Sequence, residues 1–156
     1  MRTAALLALV LAACASAPVS EGEDRAVFAG YAVEPVREAA LAAVEEVAHS
    51  RHGVRITSEG SVLTEGGIGK CGEHVTCRSS TAYGIIGEHW TTIEVRFRVV
   101  GGDTAVEVAI EYESCGRPRF GCVPERLAST GKLERQILDG IRSRLDSGGG
   151  NSTTSG

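Results

Sequence analysis

The sequence predicts an α+β fold: a two-layer sandwich in which an antiparallel sheet of about five strands carries two helices on one face, in the order β-α-β-β-β-β-α. Three observations predict it. Residues 93–112 read as two alternating strands around Gly101-Gly102, two other segments place apolar residues at helical spacing, and the strands alternate apolar with polar residues. A sheet with a single apolar face and two amphipathic helices to cover it has one economical packing.

Taken in order, residues 27–33 can form a short strand, and Pro35 sits where a first helical residue belongs, ahead of Val36, Ala40, Val44, Val47 and Ala48. Gly53 follows the end of this helix. Val54 and Ile56 alternate with Arg55 and Thr57, and Glu59-Gly60 turns the chain into residues 61–64, a second strand of a hairpin.

The strongest pattern is Ile93, Val95, Phe97 and Val99 alternating with Glu94, Arg96 and Arg98, followed after Gly101-Gly102 by Val106, Val108, Ile110 and Tyr112 alternating with Glu107, Ala109 and Glu111. With the two glycines as the central turn residues, Phe97 meets Val106, Val95 meets Val108, Ile93 meets Ile110, and Arg96 meets Glu107 on the wet face. A slip of one residue would set apolar side chains against charged ones, which burial forbids. Ser129 or Thr130 is then expected to cap a last helix with Leu133, Ile137, Ile141 and Leu145 on one side and Lys132, Glu134, Arg135, Asp139 and Arg142 on the other, ended by Gly148.

Composition agrees with one domain of modest size. The chain has 156 residues, 42% hydrophobic and 23% charged, which excludes a disordered or polytopic membrane protein, and with only three Phe, one Trp and three Tyr its core must be aliphatic. A formal charge of −4 offers no basic field for nucleic acid.

The first residues carry an address. Met1-Arg2 is a minimal positive start, and residues 4–11 form an apolar run too short to span a bilayer, as in a signal peptide. The run ends in Leu11-Ala12-Ala13-Cys14, which resembles the lipobox of bacterial lipoproteins: small residues that let an extended backbone enter a peptidase groove, then a thiol able to accept a lipid. The resemblance implies a diacylglyceryl thioether on Cys14, cleavage before it and acylation of the new amino terminus. Residue 15 is Ala rather than Asp, which by similarity to Gram-negative lipoproteins implies sorting to the outer membrane. The expected organisation is a signal peptide over 1–13, a lipidated tether over 14–25, one α+β domain over 26–146 and a Gly/Ser/Thr-rich tail over 147–156.

Over roughly residues 27–145, this element order, with a terminal Leu-Glu-x-x-Ile-Leu-x-x-Ile helix behind a lipidated tether, resembles the small helix-grip domains of BamC (NlpB)-type envelope lipoproteins. The resemblance is one of topology. It implies the helix-grip arrangement and a place beside outer-membrane protein assembly.

Four cysteines follow Cys14 as two close pairs, Cys71 with Cys77 and Cys115 with Cys122. In an oxidising compartment an even count reads first as disulfides, and the local pairing is favoured over the two crossed ones, which the hairpin register leaves open. The alternative is a metal site of Cys71, His74 and Cys77 completed by Cys115, Cys122 or His89, but no tight Cys-x-x-Cys knuckle is present and no metal is assigned. Between Gly66 and His89 a long Gly-rich insertion carries Tyr83, Ile85 and Ile86 and leads into Trp90, together a candidate partner surface or a cover for the open end of the core. No acid, base and nucleophile converge in the sequence and no cofactor motif occurs. The expected function is therefore a non-catalytic envelope lipoprotein that binds a protein, lipid or wall partner; the alternative is a small periplasmic metal-binding protein or enzyme using the Cys/His loops.

Overall fold

The computed structural model describes residues 22–48, 52–68, 73–76, 89–115 and 124–148 of the protein. The elements are β1 (Arg25–Phe28), α1 (Val33–Ala48), β2 (Val54–Ile56), β3 (Val62–Ile68), β4 (Val75–Thr76), β5 (His89–Val100), β6 (Asp103–Cys115), β7 (Pro124–Ser129) and α2 (Lys132–Gly148). They form the expected α+β sandwich. The sheet is antiparallel throughout, in the order β2-β3-β5-β6-β7-β4, with β1 on β6 beside it.

The β5–β6 hairpin has the register its pattern requires: Phe97 opposes Val106, Val95 opposes Val108, Ile93 opposes Ile110 and Arg96 opposes Glu107. Gly101 and Gly102 turn it with φ of 61° and 98°, left-handed values that glycine adopts without a Cβ penalty. On the helix side Thr91, Ile93, Val95, Val106, Val108 and Tyr112 are buried. Phe97 is only partly covered, with the Arg37 guanidinium 5.7 Å from its ring centre. Val99, expected inside, is 64% exposed because the tip of the hairpin overshoots the helices.

The free edge of β6 is shared by two strands. β1 takes residues 104–107 and β7 takes 112–115. Neither β7 nor β4 carries an alternation strong enough to announce a strand, since Leu127 is the only large apolar residue of Pro124–Ser129. β4 comes from the long insertion and pairs with the end of β7, and its Val75 is fully buried. That part of the insertion does cover the core.

β1 begins at Arg25, earlier than its alternation suggested, and stops at Phe28. Gly30 turns the chain there with φ 75°, its amide donating to Asp103 Oδ1 at 2.9 Å. The described chain already docks at Gly22, which bridges to Arg25, while the Asp24 carbonyl accepts from the Val108 amide at 2.8 Å. Pro35 lies within the first turn of α1 rather than at its first residue.

The helices lie side by side on the inner face, α1 over β2, β3 and β5, and α2 over β6 and β1. Ala39, Ala40 and Ala43 of α1 are buried, and a Cβ at Gly140 would lie 3.1 Å from that of Ala43, so small residues set this close approach. Arg144 bolts the pair together, donating to the carbonyls of Gly140 and Ala42 and to the Glu46 carboxylate.

Two expectations about α2 are corrected. Neither Ser129 nor Thr130 caps it, because the Thr130 hydroxyl donates to the Glu73 carbonyl and Ser129 Oγ accepts from the Gly131 amide. Glu134, read onto the solvent side, is buried, because it shares a stripe with Leu138, Ile141 and Leu145. Gly131, with φ 76°, precedes the helix, and the Glu23 carboxylate occupies the space a Cβ would need while pairing with Arg135 at 2.6 Å.

Ile93→Ala should cost ~2–5 kcal/mol in urea denaturation, whereas Ile56→Ala, at a side chain 49% exposed, should stay within about 0.5 kcal/mol. Equal losses at the two sites would contradict the burial assigned to Ile93. Gly131→Ala should lose ~1–2 kcal/mol from its left-handed backbone alone, and an unchanged denaturation midpoint would contradict the described junction.

Candidate functional site

One end of the sheet, opposite Gly101-Gly102, holds the two sequence-predicted site residues that the structure describes. Cys115 is the last residue of β6 and pairs with Pro124, and Trp90 lies in β5 between Ile68 of β3 and Glu113 of β6. These two positions are brought to the same end of neighbouring strands. Cys14, Cys71, Cys77 and Cys122, together with Tyr83, Ile85 and Ile86, lie outside the described residues. The chain order nevertheless sets Cys77 directly after β4 and Cys122 two residues before β7.

Beneath this end lies a feature that the sequence pattern hides. Tyr112 enters as one more inward residue of β6, opposite Thr91 on β5 and Leu127 on β7. Its hydroxyl is buried and meets no partner in hydrogen-bond geometry, and the same holds for Glu134 Oε2 and Thr91 Oγ1. Burial pushes the Tyr112 phenol well above its ordinary pKa, and the charge of Glu134 adds to this. The phenol is therefore a neutral hydrogen-bond donor throughout the physiological range and not a base.

The cluster is built from three elements. β6 carries Tyr112, β7 ends in Ser129, and the first turn of α2 carries Glu134, where the helix dipole offsets part of the cost of burying a carboxylate. β4 is pinned over it: the His74 carbonyl accepts from the Thr130 amide at 3.0 Å, and Lys132 pairs with Glu73 at 2.9 Å. A buried polar group without a partner costs ~1–3 kcal/mol, and Phe and Leu would fill the same space without that cost. Such groups concentrate where a fold serves something other than its own stability. The signal for this cluster in the sequence is slight: a Tyr ending an apolar alternation and a Glu one residue after Leu133.

The outer face of the sheet is a lattice of paired charges, with Arg25 on Glu107, Arg55 on Glu65, Arg96 on Glu94 and Arg126 on Glu111. The hydrogen bond from Arg96 holds the Glu94 carboxyl below its ordinary range, against a smaller opposing effect of burial. Among the described residues, no three His, Cys, Asp or Glu side chains gather as a metal site.

Tyr112→Phe removes a buried hydroxyl that has no partner and should leave stability unchanged or raise it by about 1 kcal/mol in urea denaturation. Because the folded pKa of Tyr112 is raised, the stability tied to its neutral form is complete below about pH 10 and is lost as pH rises beyond that. Tyr112→Phe should therefore flatten the alkaline limb of the stability curve; an unchanged limb would contradict the burial of the phenol.

Compared with known proteins, the chain matches no family model, no curated protein and no solved structure.

Proposed function

We propose that the chain is a lipid-anchored lipoprotein of the bacterial cell envelope, facing the periplasm, whose domain is a non-catalytic binding or accessory module for a protein, lipid or wall partner. The observation that carries this reading is Leu11-Ala12-Ala13-Cys14 at the end of a short apolar run. Acyl chains on Cys14, worth ~0.8 kcal/mol per buried CH₂, would hold the domain on a membrane without a spanning helix. Ala15 favours the outer membrane. Cleavage before Cys14 removes one cation, Arg2, and leaves 15 basic against 20 acidic residues, a net of −5.

The domain is suited to close tethering. Gly22 is eight residue steps from Cys14, a reach of roughly 26–29 Å when extended, shorter than a tether running to residue 25. Glu23 and Asp24 are fastened to α2 and β6, so tension on the anchor is received by the body of the sandwich. The four remaining cysteines fit an oxidising compartment as two local disulfides, Cys71 to Cys77 and Cys115 to Cys122, each worth ~2–3 kcal/mol by loop closure.

Metabolic labelling with a fatty acid should mark the wild-type chain and leave Cys14→Ser unmarked, and equal labelling of both would overturn the anchor. Protein purified from the envelope should carry no stoichiometric zinc and should react with alkylating reagents only after reduction. Four thiols free in the native protein with one bound zinc would instead establish the metal-binding alternative.

A further inference from the structure

We propose that residues 19–21 of the tether pair with the outer edge of β1 as a short added strand, and that this pairing turns the Gly101-Gly102 end of the domain toward the membrane and the Cys115 end away from it. The strand rests on the fold alone, and its consequence for orientation rests on the lipoprotein reading of Cys14.

The described chain supplies the first rung. Gly22 and Arg25 exchange both backbone hydrogen bonds, 3.1 Å from the Gly22 amide to the Arg25 carbonyl and 3.3 Å in return, which closes a two-residue turn at Glu23-Asp24. The chain before Gly22 therefore enters antiparallel to β1. The Asp24 carbonyl accepts from the Val108 amide, so along β1 the even-numbered peptide groups point at β6 and the odd-numbered ones away from it. Val27 is the next residue with its N–H and C=O on that outer edge, where no strand pairs among the described residues. Continuing the register from Gly22 and Arg25 sets Glu21 opposite Ala26, Ser20 opposite Val27 and Val19 opposite Phe28.

The residue types suit that register. Ala26 and Phe28 are buried on the helix side of β1, so the alternation sets Val19 on the same side, next to Phe28, and Ser20 on the outer face with Val27. The rung after that would ask Pro18 to donate to Ala29, and proline has no N–H, so the added strand ends at Val19. An open edge invites pairing with some strand. The segment that the two-residue turn already aims along this edge is present at an effective concentration that a separate chain does not match, which makes it the occupant.

Chain length then decides the orientation. Gly22 lies at the level of Arg25 and Glu107, which is about 17 Å along β6 from Gly102 and about 27 Å from Cys115. A free segment from Cys14 to Gly22, reaching roughly 26–29 Å, would allow either end of the sheet to meet the bilayer. With residues 19–21 paired, the anchor instead departs from the level of Phe28 and Thr104, beside the hairpin turn, with five residue steps from Val19 to Cys14, a reach of roughly 17–18 Å. Cys115 lies about 36 Å farther along β6 and is out of reach of the membrane. The end of the sheet that holds Cys115, Trp90 and the Tyr112 and Glu134 cluster then faces the periplasm, open to a partner.

The strand is tested by hydrogen exchange on the chain over residues 14–156 with Cys14→Ser, which retains every described element and cannot be acylated. Its Val27 amide should exchange about tenfold more slowly than in the same chain with Ser20→Pro, which removes the N–H facing Val27. The Ala26 and Phe28 amides, which point at β6, should not change, and this shows that the variant folds. Equal rates at Val27 in the two chains would overturn the strand. The orientation is tested on the acylated chain in bicelles that carry a paramagnetic lipid headgroup. The amide signals of Gly30 and Gly102 should broaden more than those of Glu113 and Leu127, and Ser20→Pro should erase the difference. Equal or stronger broadening at Glu113 and Leu127, or a pattern that Ser20→Pro leaves unaltered, would overturn the orientation. The two readings fail separately: a wild type that fatty-acid labelling leaves unmarked removes the membrane from the account, while the exchange rate of Val27 still decides the strand.

Discussion

The rest of the molecule depends on the register of one hairpin. β5 and β6 pair continuously from His89 with Ser114 to Val100 with Asp103, and every other strand except β2 and β4 is built directly on them. The side-chain period of a strand is two, so the position of Gly101-Gly102 decides at one stroke which residues of both strands face the helices. With these glycines at the turn, Ile93, Val95, Val106, Val108 and Tyr112 form one continuous apolar surface, and Glu94, Arg96 and Glu107 fall on the other side. Moving the turn by one residue would bury the charges and expose the core.

That surface explains the helices. α1 is rich in Ala and α2 presents Gly140 at the crossing, so the two can lie close together and cover a sheet whose inner residues are chiefly Val and Ile. A chain with few aromatics cannot fill wide gaps, and close helix packing is the compensation. The polar exceptions have different fates. Thr64 and Thr104 are buried with their hydroxyls donating to the carbonyls of Gly53 and Tyr31, whereas Tyr112 and Glu134 keep polar atoms without partners. The second pair lies under the end of the sheet where the cysteine-bearing segments begin.

Much of this was legible in the sequence, and the limits have physical reasons. The hairpin declared itself through eight alternating apolar residues and a Gly-Gly turn, and α2 through Leu133, Ile137, Ile141 and Leu145. β7 was hidden because a six-residue strand with one large apolar residue has no periodicity to read, and β4 because two residues cannot show any. The caps failed for a tertiary reason: Thr130 is drawn to Glu73, fifty-seven residues away, by a pairing of β4 with β7 that local sequence does not encode. Glu134 misled because a charged residue beside an apolar stripe is ordinarily on its wet side. For the site, Cys115 and Trp90 lie at the end of the sheet above the Tyr112 and Glu134 cluster, but no pattern in the sequence marks that cluster, which emerges only when α2 packs on β6.

Native-state hydrogen exchange resolved by residue tests the dependence on the hairpin most directly. The amides of Glu94, Arg96, Glu107 and Ala109, which point across the hairpin, should be the slowest in the chain and exchange only through global unfolding, while those of β4 and of residues 22–24 exchange sooner through local opening. If the amides of α1 and α2 remained protected after those of β5 and β6 had exchanged, the helices would be the foundation of the fold and the hairpin an addition to it.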